Sequence, residues 1–174
     1  MGFNEGEARA PGFVMGTWQL WQDLITLSLR LAFGGNNVRS ERPVPLGKRL
    51  HPDGSAGRLN VRPDVTVSTA HLHFHVDAKY KARLEKGRVY AAEADIYEAL
   101  AFSTASEGIP VVLAYPRLAS EPIAPVGTVE ICELIEIEGQ VAISVVTVEV
   151  RGISRRQGLA TFVSELKRGV EELF

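Results

Sequence analysis

The stretch RPDVTVSTAHLHFHVDAK, residues 62–79, decides how this chain is read. Leu59 to Ser68 is rich in β-branched residues, and His71 to Lys79 alternates strictly, with Leu72, Phe74 and Val76 set against His71, His73, His75 and Asp77. Both segments read as strands, and the short Thr69-Ala70 link makes them an antiparallel hairpin. Asp64 falls within the first strand and Asp77 and Lys79 near the end of the second. Side chains on a strand alternate, so Asp77 and Lys79 share one side and Ala78 takes the other. Carboxylates converging from paired strands suit a hard divalent cation, magnesium or manganese, and the Ala78 carbonyl is available as a further oxygen ligand. Such an ion polarises a phosphoryl oxygen and activates water. Lys79 would orient that water and offset the negative charge of the transition state.

Before the hairpin, Thr17 to Phe33 predicts a helix, with Thr17 as its N-cap and Gly34-Gly35 as its stop. Its apolar residues run around most of the circumference, so burial on several sides is expected. Gly35 to Gly57 is dominated by turn formers and prolines and reads as a long loop holding at most one short strand. After the hairpin, Val89 to Ser106 reads as a helix ended by Gly108, and Pro110 to Tyr115 as a continuously apolar, buried strand. Thr128 to Glu136 and Gln140 to Val150 form a second hairpin about Glu138-Gly139. A last helix spans Arg155 to Leu173, with Phe162, Leu166, Val170 and Leu173 on one stripe. The expected class is α/β, a mixed central sheet flanked by helices, in one domain over residues 1–174. Within it, 1–13 is a loose leader, 17–116 the core, and 126–174 an added C-terminal hairpin and helix.

Composition sets the bounds. A chain of 174 residues with 45% hydrophobic and 23% charged residues can bury a core without staples. The formal net charge of −2 gives no global positive field, so nucleic acid would have to meet a local patch such as Arg39 to Arg62. That patch reads equally well as a solvated loop. The single cysteine, Cys132, excludes an internal disulfide and fits a reducing compartment. No signal peptide is recognisable. The apolar run Val14 to Phe33 is interrupted by Gln19, Gln22, Asp23 and Arg30, so no membrane span and a cytoplasmic location are expected.

The segment Arg62-Pro63-Asp64, followed by Asp77-Ala78-Lys79-Tyr80-Lys81, resembles the PD-(D/E)xK nuclease signature. Asp95-Ile96-Tyr97, Val112-Leu113-Ala114-Tyr115-Pro116 and Trp18-Gln19-Leu20-Trp21 extend the likeness to the nuclease subunit of McrBC-type restriction systems and its relatives. A bare P-D…D-x-K is weak; the extended pattern, over about Thr17 to Pro116, is far more specific. The resemblance implies a restriction-endonuclease-like core that hydrolyses DNA with magnesium or manganese. It further implies Asp64, Asp77 and Lys79 as the working residues, with Gln19, Arg62, His75, Tyr80, Lys81, Asp95 and Tyr97 as accessory candidates. By the same resemblance a separate NTPase subunit would supply translocation, since no Walker-type loop is present, and cutting both strands would favour a homodimer. Two positions depart from the pattern: Gln19 stands where the family has a helix glutamate, and Glu98 where it has glutamine. The family's nuclease subunits also carry a domain ahead of the core, for which this chain has no room.

Two rivals follow from other residues. His71, His73 and His75 on one strand face would allow a zinc hydrolase, since two histidines at i and i+2 can share a transition metal; a polar strand face is the plainer reading. The apolar run Val141 to Val148 suggests burial on both faces, by the last helix and by core or a partner. The latter would suit a non-catalytic module that holds nucleic acid or a partner on a degenerate nuclease fold.

Overall fold

The computed structural model describes residues 16–85 and 88–174; the expected leader, 1–13, lies outside them. A six-stranded mixed sheet organises the fold. Its strands are β1 (Val38–Ser40), β4 (Val65–Ser68), β5 (His73–Ala78), β8 (Val111–Pro116), β10 (Gln140–Val148) and β9 (Val129–Ile137), in that spatial order. β4 is antiparallel to β1 and to β5, β5–β8 and β8–β10 are parallel, and β9 is antiparallel to β10. α1 (Thr17–Phe33) and α3 (Gly158–Glu171) pack on one face, where Trp21, Ile25, Phe162 and Leu166 meet Phe74, Val76 and Val146. α2 (Glu93–Ala105), the crossover between parallel β5 and β8, covers the other with Ala99 and Phe102 against Leu113, Tyr115 and Val145. This is an α/β fold with helices on both faces of a mixed sheet.

The strands buried on both sides are those the sequence leaves continuously apolar. β8 is buried from Val111 to Tyr115, and in β10 Ile143 to Val148 are buried, alternating between the two cores. The second hairpin turns at Glu138 (φ 52°) and Gly139 (φ 80°), two left-handed residues in succession as a tight hairpin demands. At the end of β10, the fully buried Glu149 accepts hydrogen bonds from the Arg151 guanidinium and backbone N–H and from Ala124 N–H. Arg151 also donates to the Glu121 and Pro122 carbonyls, tying down the long β8–β9 connection.

Several expectations are corrected. Leu59 to Ser68 is not one strand. β3 (Ala56–Val61) pairs with β2 (Val44–Leu50) in a separate two-stranded sheet, and the chain breaks at Arg62–Asp64 before β4 begins. Pro63 has no N–H to continue a ladder, so Asp64 lies just ahead of the strand rather than within it. The supposed long loop therefore holds two strands, β1 and β2. The β4–β5 link is Thr69–Leu72, which places His71 in a turn secured by its N–H to Thr69 Oγ1. Val89 belongs to β7 (Arg88–Tyr90), paired with β6 (Arg83–Glu85), so α2 starts four residues later than expected. α1 is capped by Gly16 instead of Thr17, and it buries one face only: Leu20, Leu27 and Leu31 are exposed. α3 begins at Gly158 rather than Arg155, with its apolar stripe where the spacing places it.

Gly127 gives a direct test of the packing between α3 and the sheet. At φ 88°, a Cβ there would sit 2.5 Å from the Phe162 carbonyl oxygen and 2.7 Å from its Cα, both backbone atoms that cannot yield. Gly139 has a similar φ of 80° but nothing within 4 Å. Gly139→Ala should cost only the left-handed strain, about 1 kcal/mol, whereas Gly127→Ala adds an overpacking penalty of about 1–3 kcal/mol. Urea unfolding of the two variants should show that separation.

Candidate active site

The carboxyl ends of β5 and β8 open into a crevice between the starts of α1 and α2, a common location for sites in sheets of this kind. Asp64 reaches across from the head of β4, its Oδ2 accepting the Ala78 N–H at 2.9 Å. The β4–β5 register would set Pro63 opposite Ala78. Lacking an N–H, Pro63 leaves the Ala78 carbonyl without a ladder donor, while the Ala78 amide on the same side is taken by the Asp64 carboxylate. The proline of the Pro-Asp pair thus has a direct physical task.

Asp77, near the end of β5, is 4% exposed. Lys79 extends back alongside it, with Nζ 2.8 Å from Asp77 Oδ2, 2.7 Å from Glu98 Oε2 and 3.8 Å from Asp95 Oδ1. The shared orientation expected of Asp77 and Lys79 is what the structure has. Asp77 Oδ2 is fully shielded from solvent and, besides its ion pair with Lys79, has no well-directed hydrogen bond among the described residues. Asp95, in the first turn of α2, accepts the Tyr115 hydroxyl at 2.7 Å, which ties α2 to the end of β8. Trp21 Nε1 and the Lys79 N–H both donate to the Ala114 carbonyl at 2.9 Å, fixing α1 against the same strand ends.

These contacts set unusual electrostatics. Burial pushes the Asp77 carboxyl up to about 7; Lys79 opposes the rise and Asp64 reinforces it. Burial also raises Asp64, although the Ala78 N–H, the hydrogen bond with Asp77 and the charge of Lys79 pull the other way. The two carboxyls lie close enough to share a proton. Burial works against a charged Lys79, but Asp77 and Glu98 outweigh it and hold the ammonium above the usual lysine range. Burial raises the Tyr115 hydroxyl, and the bond to Asp95 adds to the effect.

The remaining candidates are scattered around this centre. Tyr80 and Lys81 follow β5 and, with Trp18, Lys79 and Asp95, line a cavity of about 500 Å³. Tyr97 is exposed on α2 and Arg62 is exposed in the linker before β4. Gln19 lines a different groove, beside Gln22, Asp23 and Glu41. His75 is buried between β5 and the end of α2: Nδ1 is bonded to Thr66 Oγ1 at 2.9 Å and Nε2 to Ser106 Oγ at 2.8 Å. Burial takes its pKa down to about 4. With both His75 nitrogens engaged and His71 off the strand, the histidine face that the rival zinc reading needs is not assembled. Among the described residues no group of three or more His, Cys, Asp or Glu side chains is gathered to hold a metal. Sequence reading overlooked two contacts. Glu98, noted there only as a departure, is a partner of Lys79. Glu41 donates its N–H to the Asp64 carbonyl from the stretch read as loop, where no periodic signal marked it.

No protein-family model and no curated protein matches the chain. Among solved structures, it is similar to a chain in the complex of Thermococcus gammatolerans McrB AAA+ hexamers with bound McrC. The TM-score is 0.59 at 13% identity, covering 94% of this chain and 34% of that one. The likeness is one of fold, and this chain spans about a third of the length of the chain it matches. Among the described residues no helix is long and apolar enough to cross a membrane.

The raised Asp77 pKa predicts a pH signature in metal-free protein. A carboxyl whose folded pKa exceeds its unfolded value stabilises the fold fully below about 3.8 and loses that contribution as pH rises through about 7. Asp77→Asn, permanently neutral, should therefore gain stability relative to wild type between pH 4 and 8. The gain at pH 8 should reach a few kcal/mol, since each tenfold change in proton affinity is worth about 1.4 kcal/mol. Chemical denaturation in chelator across that range checks it; parallel profiles for the two proteins would contradict it.

Proposed function

We propose that this chain is a restriction-endonuclease-like domain that hydrolyses DNA phosphodiester bonds with a divalent metal. The observation that carries the reading is the convergence of Asp64, just ahead of β4, and Asp77, on β5, with Lys79 2.8 Å from Asp77. The donor set is compatible with a hard cation: two carboxylates pressed together in a half-dry crevice, one buried oxygen short of donors, and a ladder-free carbonyl at Ala78. Bound there by Asp64, Asp77 and the Ala78 carbonyl, magnesium or manganese would supply Lewis-acid polarisation of a phosphoryl oxygen and a more acidic water.

The chain's own residues have definable parts in this reading. Asp64 is held by the Ala78 N–H, which fixes the carboxylate beside Asp77. Asp77 gives up its proton readily near neutral pH. Lys79 keeps its charge throughout and is aimed by Asp77 and Glu98, which positions an ammonium beside a phosphate that becomes more negative as it reacts. Asp95 and Tyr115 hold the start of α2 in place behind it. The solved assembly that shares this fold contains AAA+ hexamers. That supports a separate NTPase as partner; DNA and a second copy of the chain are the further partners this reading calls for.

The test is a cleavage assay on duplex and denatured DNA with magnesium or manganese. Cleavage should disappear with chelator, and Asp77→Asn and Lys79→Ala should each slow it at least about 100-fold, the scale for removing one aligned transition-state group. Undiminished cleavage in both variants would overturn the assignment. DNA binding without cleavage under any metal would favour the non-catalytic module instead.

A further inference from the structure

The aromatic side of the crevice has no part in the chemistry just described. Trp18, on the first turn of α1, is 59% exposed, and Tyr80, just past Lys79, is 43% exposed. They face the same cavity of about 500 Å³, with Thr17 and Trp18 on one wall and Lys79, Tyr80, Lys81 and Asp95 on the other. That volume lies in the range of small-molecule sites. The other tryptophan, Trp21, is buried and bonded to the Ala114 carbonyl, so packing demand accounts for one indole and not for the other.

Trp18 is also held. The indole lies over Gly16, whose missing side chain leaves it room: a Cβ there would come within 2.7 Å of Nε1 and 3.1 Å of Cδ1. A ring braced on one side and open on the other, beside two lysines, is the arrangement on which a nucleobase stacks while its phosphate meets positive charge. A base within a duplex already has both faces covered and offers no π-surface to Trp18. Electrostatics point the same way. The formal net charge of −2 is poor equipment for tracking duplex backbone, which is bound mainly by neutralising many phosphates. Single-strand binders add stacking of about 1–3 kcal/mol per base to positive charge on the backbone, and here Lys79 and Lys81 supply that charge beside Trp18.

We propose that the cleft between Trp18 and the Lys79–Lys81 segment holds an unpaired nucleobase, stacked on Trp18, so that the site takes single-stranded DNA in preference to blunt duplex. The proposal rests on the reading of Asp64, Asp77 and Lys79 as a phosphodiester-cleaving site. Lys81 meets the phosphate of the stacked nucleotide, and Lys79 the neighbouring one at the carboxylates.

Binding in chelator separates this from cleavage. Fluorescence anisotropy of a labelled single-stranded oligonucleotide and of a blunt duplex of the same sequence should show at least about tenfold tighter binding of the single strand. Tryptophan emission should fall as single strand is added. In Trp18→Ala that quenching should vanish, since the buried Trp21 remains as a constant background. Single-strand affinity should drop roughly 5- to 100-fold, duplex affinity should not change, and Trp18→Phe should restore most of the loss. Equal affinity of wild type and Trp18→Ala for single strand, or tighter binding of duplex, would overturn the proposal while leaving the cleavage reading to its own assay. Failure to bind either DNA, together with no cleavage under magnesium or manganese, would overturn both.

Discussion

Two carboxyls drawn out of water side by side dominate the local energetics of the crevice. Asp64 and Asp77 would separate if they were free to. Each is instead anchored by something the fold cannot give up: Asp64 by the Ala78 amide, Asp77 by its place in a strand paired on both sides. A proton or a cation must then offset the cost of burial, to which Asp64 adds and which Lys79 only moderates. The surrounding architecture supports this confinement. Trp21 and Lys79 converge on one carbonyl, Tyr115 fastens α2 through Asp95, and the strand ends at the crevice are fixed by a helix on either face.

How much of this could be read from the chain depends on whether a feature is local. The alternation through Phe74 and Val76, the apolar run of β8, the Glu138-Gly139 turn and the stripe on α3 are all nearest-neighbour signals, and each led to the right element. The side on which Asp77 and Lys79 meet follows from the pleat alone. What escaped depended on distant partners. A β-branched run from Leu59 to Ser68 looks like one strand, and only the competing demand of β2 for β3 and of β5 for β4 divides it at Pro63. Arg88–Tyr90 joins a hairpin whose other strand has no strong pattern, so helix propensity extended too far toward the N-terminus. α1 has leucines on every side, and nothing in their spacing says that Leu20, Leu27 and Leu31 stay in solvent.

The histidines show the same limit in a chemical form. Their spacing along β5 is regular, but a ligand needs a free lone pair, and His75 has committed both nitrogens to hydroxyls on β4 and just past α2. Burial on both faces of β5 also turns what reads as a polar surface into interior. Glu98 and Glu41 lie in the opposite case: neither carries a recognisable pattern, yet each touches a residue of the crevice because the chain returns there from far away in sequence.

The nine-residue β9 forms one border of the six-stranded sheet, and Ile131, Leu134 and Ile137 are exposed along it. An apolar border of that length is a template for fibril-like self-association. Glu130, Glu133 and Glu136 recur along it at every third residue, so two such borders approaching each other bring like charges into contact. Glu130 is also paired with Arg117 and Glu133 accepts the Ala91 N–H, so these charges are held in place along the border. Neutralising them to improve crystallisation or to simplify the surface would remove the barrier that keeps one copy from zipping onto the next.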